Sequence, residues 1–302
     1  HWMNGRLYTA RQGQTVLTLK AYAKVNLVLE VLGRRDDGYH EIASLMQTIG
    51  LHDVLTIEAA DEIEFSCSAA ELQTNDNLVL KAFRALREAT GEKAGARIAL
   101  EKNIPPATGL GGGSSDAAAA LKGLNILWDV GLSAEKLAEI GAGIGSDVAF
   151  FIYGGTCLSQ GRGEKITPLP DISTAWFILL KPVITVPVHK TAALYGMLKP
   201  GHYSDRGLAA GAAERLKEGE IGAGMLYNTF DSIAADAYNG LERYRVAMEK
   251  TGAAGIHLAG SGPLLFSMFD SREDALSVQT KLSLINMDSI LVPGVDRDEA
   301  GY

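Results

Sequence analysis

Residues 105–116 read Pro-Pro-Ala-Thr-Gly-Leu-Gly-Gly-Gly-Ser-Ser-Asp, and the reading of this stretch decides the fold. Four of these twelve residues are glycine, three of them consecutive. Glycine loses the most conformational entropy on folding, so a cluster serves a backbone that must turn sharply or bring its N–H groups close to a bulky anion. Ser114, Ser115 and Asp116 follow and are N-cap residues by type. Beyond them Ala117, Ala120, Leu121, Leu124 and Trp128 recur on one face, which predicts a helix from Ala117 to Trp128. A glycine loop feeding a helix N-terminus is an anion site, since unpaired N–H groups and the positive end of the dipole point the same way. The alternative is a tightly packed turn with no ligand, because isolated glycine motifs often match by chance.

Two common anion loops do not fit. A P-loop places Gly-Lys-Ser/Thr ahead of its helix, and no lysine stands between Pro105 and Lys122. Gly109 and Gly111 begin a dinucleotide fingerprint, but Ser114 occupies the place of its third glycine.

Composition narrows the function. A chain of 302 residues holds one large or two ordinary domains. With 47% hydrophobic and 21% charged residues it is neither disordered nor membrane-like, and its longest apolar run, near Ala175 to Leu180, is strand-length. A net charge of −8 with no basic block argues against a nucleic-acid partner. Cys67 and Cys157 form no disulfide framework and no signal-peptide pattern opens the sequence, so the expected location is the cytoplasm. The six histidines make no His-Glu-x-x-His or Cys/His cluster, which disfavours a zinc hydrolase.

Working outward, Thr15 to Leu32 alternates and reads as a strand pair broken near Tyr22, with Lys24 and Asn26 on one face. Gly33 to His40 is turn-rich and Asp53 to Glu58 is a strand. Asn75-Asp76-Asn77 caps a helix burying Leu78, Val79, Ala82, Phe83 and Leu86, and Arg97 to Lys102 is the strand that leads to the glycine loop. A helix capped by Ser133 precedes Gly145-Ser146-Asp147, where the aspartate before an apolar run also fits a simple N-cap. Loop-like composition at Pro168 to Ser173 marks a boundary between residues 1–170 and 171–302. The second part reads as a buried strand over Ala175 to Leu180, then helices over Lys190–Leu198, Gly207–Lys217, Asn228–Tyr238 and Leu241–Thr251. Two strands around Gly260-Ser261-Gly262, a helix capped at Ser271 and a strand near Ser289–Val292 follow, enough for a small α+β sandwich.

The loop Pro-x-x-x-Gly-Leu-Gly-Gly-Gly-Ser-Ser-Asp resembles the phosphate-binding loop of the GHMP kinases, which phosphorylate small molecules with ATP and without a Walker lysine. Ala107 and Thr108 stand where glycine or alanine is more usual. Ala-Lys-Val-Asn-Leu at 23–27, Gly-Arg-Arg-Asp-Asp-Gly-Tyr-His from 33, and Gly-Ser-Asp-Val-Ala-Phe-Phe from 145 are similar to motifs of one branch of that family. That branch acts on an alcohol linked to cytidine diphosphate, a methylerythritol. The resemblance implies an α+β two-domain fold, an N-terminal ribosomal-protein-S5-like domain and a C-terminal ferredoxin-like sandwich, with the active site in the cleft between them. It implies ATP with Mg²⁺, a small-molecule acceptor, and a monomer or weak homodimer with no nucleic-acid or membrane partner.

Carried over residue by residue, the resemblance makes Asp147 the catalytic base and Lys24 the cation that holds and polarises the pair. Pro105, Pro106, Ala107, Thr108, Gly109, Leu110, Gly111, Gly112, Gly113, Ser114 and Ser115 would wrap the triphosphate, Asn77 would lie near the adenine and Lys102 at the nucleotide's edge. Asn26, Tyr39, His40, Gly260 and Ser261 would contact the acceptor, Tyr39 stacking on the cytosine and His40 hydrogen-bonding it. The chemistry is reasonable, since an aromatic face gives stacking area and imidazole offers one donor and one acceptor. A second clamp residue is left open among His189, Lys190 and Tyr195. The rivals are a homoserine- or mevalonate-type GHMP kinase, which would lack the nucleobase pocket at Tyr39-His40, and a non-catalytic nucleotide-binding module, which would not need both Lys24 and Asp147.

Overall fold

The structure is a computed structural model that describes residues 2–3, 6–11, 14–172, 174–220 and 222–300. The opening alternation builds one long strand, not the strand pair broken near Tyr22. β1 (Trp2–Met3) and β2 (Arg6–Arg11) lead into β3 (Gln14–Arg34), which runs antiparallel to β4 (His40–Ala60). The irregularity at Tyr22 is a register shift between Tyr22 and Ala23, with further shifts at Asn26/Val28 and Val31/Gly33. A bulge bends a strand and re-aims its side chains while leaving the ladder intact on either side, so β3 curls without ending.

β5 (Ile63–Cys67), α1 (Leu78–Thr90), β6 (Gly95–Glu101), α2 (Gly112–Leu127), α3 (Ala134–Ala142), α4 (Val148–Tyr153), β7 (Thr156–Gly161) and β8 (Lys165–Pro168) follow. β4 divides its second edge, pairing Val54–Ala60 with β6 and Ile42–Gln47 with β7. Leu17, Leu19, Leu55, Ile57 and Ile98 of the sheet meet Val79, Phe83 and Leu86 of α1 and Leu121 and Leu124 of α2 in one buried cluster. α2 lies close on the sheet because Gly123 has no side chain; a Cβ there would stand 2.5 Å from Ile57 Cδ1.

Leaving β8, the chain crosses the loop of 169–175, of which Ser173 lies outside the described residues, and starts a second sheet. It runs β9 (Trp176–Leu180), α5 (Lys190–Met197), α6 (Leu208–Lys217), β10 (Tyr227–Asn228), α7 (Ala234–Ala237), α8 (Glu242–Lys250), β11 (His257–Leu258), β12 (Leu265–Phe269), α9 (Arg272–Leu284) and β13 (Ser289–Pro293). The second sheet is antiparallel in the order β11-β12-β9-β13, whereas β10 returns to pair in parallel with β3. The helix expected over Asn228–Tyr238 is therefore replaced by a short strand, a 3-10 turn over Thr229–Ile233 and the four residues of α7. Asn228 drives the change: its amide donates to the carbonyls of Leu258 and Gly260 and its oxygen accepts from Phe230 N–H, which ties the segment to the Gly260 turn. Asn77, Ser133 and Ser271 cap their helices as the sequence indicates. No helix among the described residues is long and apolar enough to cross a membrane.

A second apolar cluster joins the two sheets, with Val25 and Leu27 of β3 against Phe177, Phe266 and the small residues Ala209, Ala212 and Ala213 of α6. The face of β3 that carries Lys24 and Asn26 opens beside this junction.

Candidate active site

The glycine stretch leaves β6 at Lys102 and is fixed at its start by Asp53. This fully buried carboxylate accepts the backbone N–H of Asn103 at 2.5 Å and of Ile104 at 2.8 Å. The helix then starts one turn earlier than its side chains indicate. Gly111, at φ +75°, is the N-cap, so Ser114, Ser115 and Asp116 lie inside the helix and do not cap it. The left-handed conformation explains why glycine takes the cap, and a Cβ on Gly111 would also strike the Phe151 ring at 2.7 Å. A glycine cap has no side-chain acceptor, so the first N–H groups of α2 stay open toward the cavity. Gly109, at φ +90°, packs backbone to backbone on the second sheet's turn; a Cβ there would stand 1.7 Å from the Ala259 carbonyl oxygen.

β3 supplies the cation. The Lys24 backbone N–H donates to Leu110 O at 3.0 Å, and its ammonium donates to Asn26 Oδ1 at 2.6 Å and Gly109 O at 2.9 Å. The ammonium lies 3.7 Å from Asp147 Oδ2. Lys24 is only 3% exposed; burial pulls its pKa below the ordinary lysine range and Asp147 pulls it back. Asn26 is held in turn, donating to Ser44 Oγ at 2.8 Å while Ser44 donates to Val28 O at 2.7 Å. Asp147 sits at the N-cap position of α4 and makes no side-chain capping bond there, so the simple cap reading fails.

A cavity of about 1330 Å³ runs along this junction. It brings together Lys24, Asn26, Tyr39, His40, Asn77, Lys102, the loop from Pro105 to Ser114, Asp147, Gly260 and Ser261. Ser115 is the exception among the residues singled out from sequence. It is buried and donates to Tyr22 O at 2.6 Å, because its place on the first turn of α2 turns it toward the sheet. Lys102 lines the cavity, but its ammonium is already held by Asp53 and by Asp116, the latter at 2.7 Å. Burial opposes its charge and the two carboxylates outweigh that, holding its pKa above the ordinary value. The same burial pushes Asp116 up, and Asp116 Oδ1 remains without a partner.

Elsewhere on the cavity wall His40 stacks on Tyr195, ring centroids 4.7 Å apart and planes at 27°, and Tyr195 rests edge-on against Phe230. Tyr195 is thus the ring of the 185–195 segment that meets His40, while His189 lines the wall in a left-handed conformation at φ +51°. Burial, then the charge of Arg34, pulls the His40 pKa below its usual value, leaving a neutral ring with one donor and one acceptor. Tyr39 is 55% exposed, with the Arg162 guanidinium 4.9 Å from its ring centroid. Sequence reasoning gave no site role to Arg162, Asp53 and Thr191; it took Asp116 for a cap and Lys190 for a possible clamp residue, not for the cavity-lining charges they are. For Arg162 a signal existed, a cation between two turn glycines; the others come from contacts distant in sequence.

A family model described as the GHMP kinases N terminal domain matches residues 77–155. A 4-diphosphocytidyl-2-C-methyl-D-erythritol kinase of Dehalococcoides mccartyi is 41% identical over 267 residues, which cover 88% of this chain and 94% of that protein. The kinase of the same name from Caldicellulosiruptor bescii is 38% identical over 280 residues, covering 91% and 97%. Among solved structures, a 4-(cytidine 5'-diphospho)-2C-methyl-D-erythritol kinase superposes with a TM-score of 0.76 at 30% identity, covering 92% of this chain and all of that one. A homoserine kinase from Cytophaga hutchinsonii superposes at 0.74 over 97% of this chain and 98% of its own, but at 19% identity it shares the fold alone.

Proposed function

Because the chain belongs to the 4-diphosphocytidyl-2-C-methyl-D-erythritol kinases of the GHMP family, ATP-dependent enzymes of non-mevalonate isoprenoid biosynthesis, we propose that its cavity moves the ATP γ-phosphoryl group to the 2-hydroxyl of that cytidyl alcohol. The open N–H groups at the start of α2 and the glycine loop receive the triphosphate. Asn77 borders the nucleotide, and Lys102, pinned by its two carboxylates, braces the wall beneath the loop. Asp147 takes the acceptor hydroxyl proton as the oxygen attacks phosphorus. Lys24, immobilised by Asn26 and Gly109, holds Asp147 and the acceptor oxygen together. Phosphoryl transfer asks for little covalent help from a protein, and positioning plus charge stabilisation supplies most of the rate. Tyr39, His40 and Tyr195 take the cytosine, His40 through its neutral ring nitrogens.

Among the described residues no three His, Cys, Asp or Glu side chains form a metal cluster. The cavity does offer the unpartnered Asp116 Oδ1. That set fits Mg²⁺ carried in on nucleotide phosphates, an ion that uses one or two carboxylates and keeps its remaining ligands from phosphate and water. Bound there, Mg²⁺ would neutralise phosphate charge.

The observation that carries this reading is that one cavity holds both the Lys24–Asp147 pair beside the glycine loop and the His40–Tyr195 stack with Tyr39. A homoserine- or mevalonate-type kinase has no use for the stack. Incubation with ATP and, separately, the cytidyl alcohol, homoserine and mevalonate, followed by mass spectrometry, tests it. Phosphorylation of the cytidyl alcohol alone is expected, and turnover of either other alcohol instead would overturn the substrate assignment.

A further inference from the structure

Three lysines line the cavity, and they differ in what balances their charge. Lys102 has two carboxylates and Lys24 has Asp147. Lys190, at the first turn of α5, has none among the described residues. It is 9% exposed, and among the described residues its ammonium has one hydrogen-bond partner, the carbonyl of Gly262, in the turn that packs on the glycine loop. An ammonium has three donors, so two are unused. Leaving a charge buried and unpaired is unfavourable, and folds seldom keep one without a counter-ion. The groups around it do not supply that ion. Lys24 on β3 is a like charge, Tyr238 of the segment after α7 spends its hydroxyl on Ser261 O, and Thr191 bonds Ser261 Oγ at 3.0 Å. His189 precedes it and Tyr195 stands a turn further along α5. Asp147 lies 3.7 Å from the Lys24 ammonium, and no ion pair joins it to Lys190 among the described residues.

We propose that the missing counter-ion is a phosphate oxyanion of the bound ligands, and that Lys190 is a binding residue of the transfer reaction, closing the cavity's charge balance from the side of the second sheet. This rests on the kinase reading above and adds to it a third cation, one that no motif marks. The ligand-free state fits: burial, then the charge of Lys24, pushes the Lys190 pKa down to about 8. An arriving oxyanion restores the charged form, so binding between about pH 8 and 9 takes up a proton.

The oxyanion could belong to the transferring end of ATP or to the diphosphate of the acceptor, and the test separates them. Calorimetric titration of wild type, Lys190→Met and Lys190→Arg with ATP, ADP, cytidine diphosphate and pyrophosphate, in two buffers of different ionisation enthalpy at pH 8.5, gives affinity and proton uptake together. For Lys190→Met we expect affinity for one of these ligands to fall about ten- to a hundredfold, the range of one charge-assisted hydrogen bond. Proton uptake should vanish, Lys190→Arg should recover most of the affinity, and the ligand-free Tm should hold or rise, since an unpaired buried charge is gone. A loss for ATP and not ADP assigns the γ-phosphoryl end; a loss for cytidine diphosphate assigns the acceptor. Unchanged affinities and proton uptake in a folded Lys190→Met protein would overturn the proposal while leaving the kinase reading intact. A wild-type protein that binds pyrophosphate through Lys190 but none of the three nucleotides would sink the kinase reading and keep the anion site. Binding of none of the four would sink both.

Discussion

Asp147 occupies a helix cap and declines to cap, and this is the residue-scale fact with the most chemical content. Its carboxylate is left for Lys24 at 3.7 Å and for whatever enters the cavity. Asp147→Asn keeps the shape and loses the ability to take a proton, so kcat should fall by about 10²–10⁴-fold with the KM for ATP little changed. Lys24→Met should cost a similar factor, and the double variant should be little worse than either single one, because groups that act as a unit are not additive. Steady-state kinetics on the three proteins checks this, and factors that multiply would show two independent contributions. For the proposed cytosine end, Tyr39→Ala removes a ring that is exposed and backed by Arg162. Loss of a base–aromatic stack, ~1–3 kcal/mol, predicts about a ten- to hundredfold rise in KM for the cytidyl alcohol and none for ATP. An equal rise for both substrates would make the ring structural.

At the scale of elements, the glycine loop is shaped by what it touches. Gly109→Ala would drive a methyl into the Ala259 carbonyl from a backbone at φ +90°, and no side-chain rotation relieves a backbone clash. The loop must shift, and ATP binding should weaken at least tenfold in a protein that still folds, read by calorimetry. α6 offers a stability test. Its cap, Gly207, has no acceptor, and the buried Glu30 of β3 reaches across to accept from Ala209 N–H at 2.8 Å and Ser204 Oγ at 2.5 Å. Glu30→Ala should cost about 1–3 kcal/mol, seen as an earlier denaturation midpoint with kcat unchanged. These contacts also show what was legible beforehand. The caps at Asn77, Ser133 and Ser271 and the loop-to-helix step are local signals and could be read. The cap at Gly111 could not, because three good cap residues stand just after it and the deciding contacts, with Phe151 and Lys24, lie 40 and 87 positions away. The Asp53–Lys102–Asp116 cluster joins a strand of one hairpin, the end of another strand and a helix, so no spacing announces it. Tyr195 could be shortlisted but not chosen, since the choice depends on where α5 sets its ring against His40.

At the scale of the whole molecule the two sheets must hold the glycine loop and the Gly260 turn in register, and the chain returns after β13 to help do so. Gly294 N–H donates to Ala175 O at 2.7 Å beside the second sheet, and the next residue, Val295, donates to Thr48 O at 2.9 Å on the first. Further on, Arg297 donates to Thr156 O at 3.2 Å and Leu169 O at 3.1 Å, and its backbone N–H reaches Asp171 at 3.1 Å. Glu299 accepts from the Tyr22 hydroxyl at 3.1 Å, and the Tyr22 carbonyl is the acceptor of Ser115 at the start of α2. The tail therefore reaches α2, the helix after the glycine loop, through one shared residue. Arg297→Ala strips the donor from two carbonyls and leaves the backbone contact to Asp171 unsupported. A loss of about 2 kcal/mol is expected, a fall in Tm of about 4–8 °C for a domain of this size. If the tail serves only to hold the sheets together, saturating ATP should restore part of that Tm, since a ligand that binds only the folded state stabilises it by mass action. Arg297 does not line the cavity, so kcat at saturation should remain near wild type while Tm falls. Thermal melts with and without ATP, alongside kcat, decide the matter: a kcat that drops in step with the Tm would mean that the tail also sets the geometry of α2, through Tyr22.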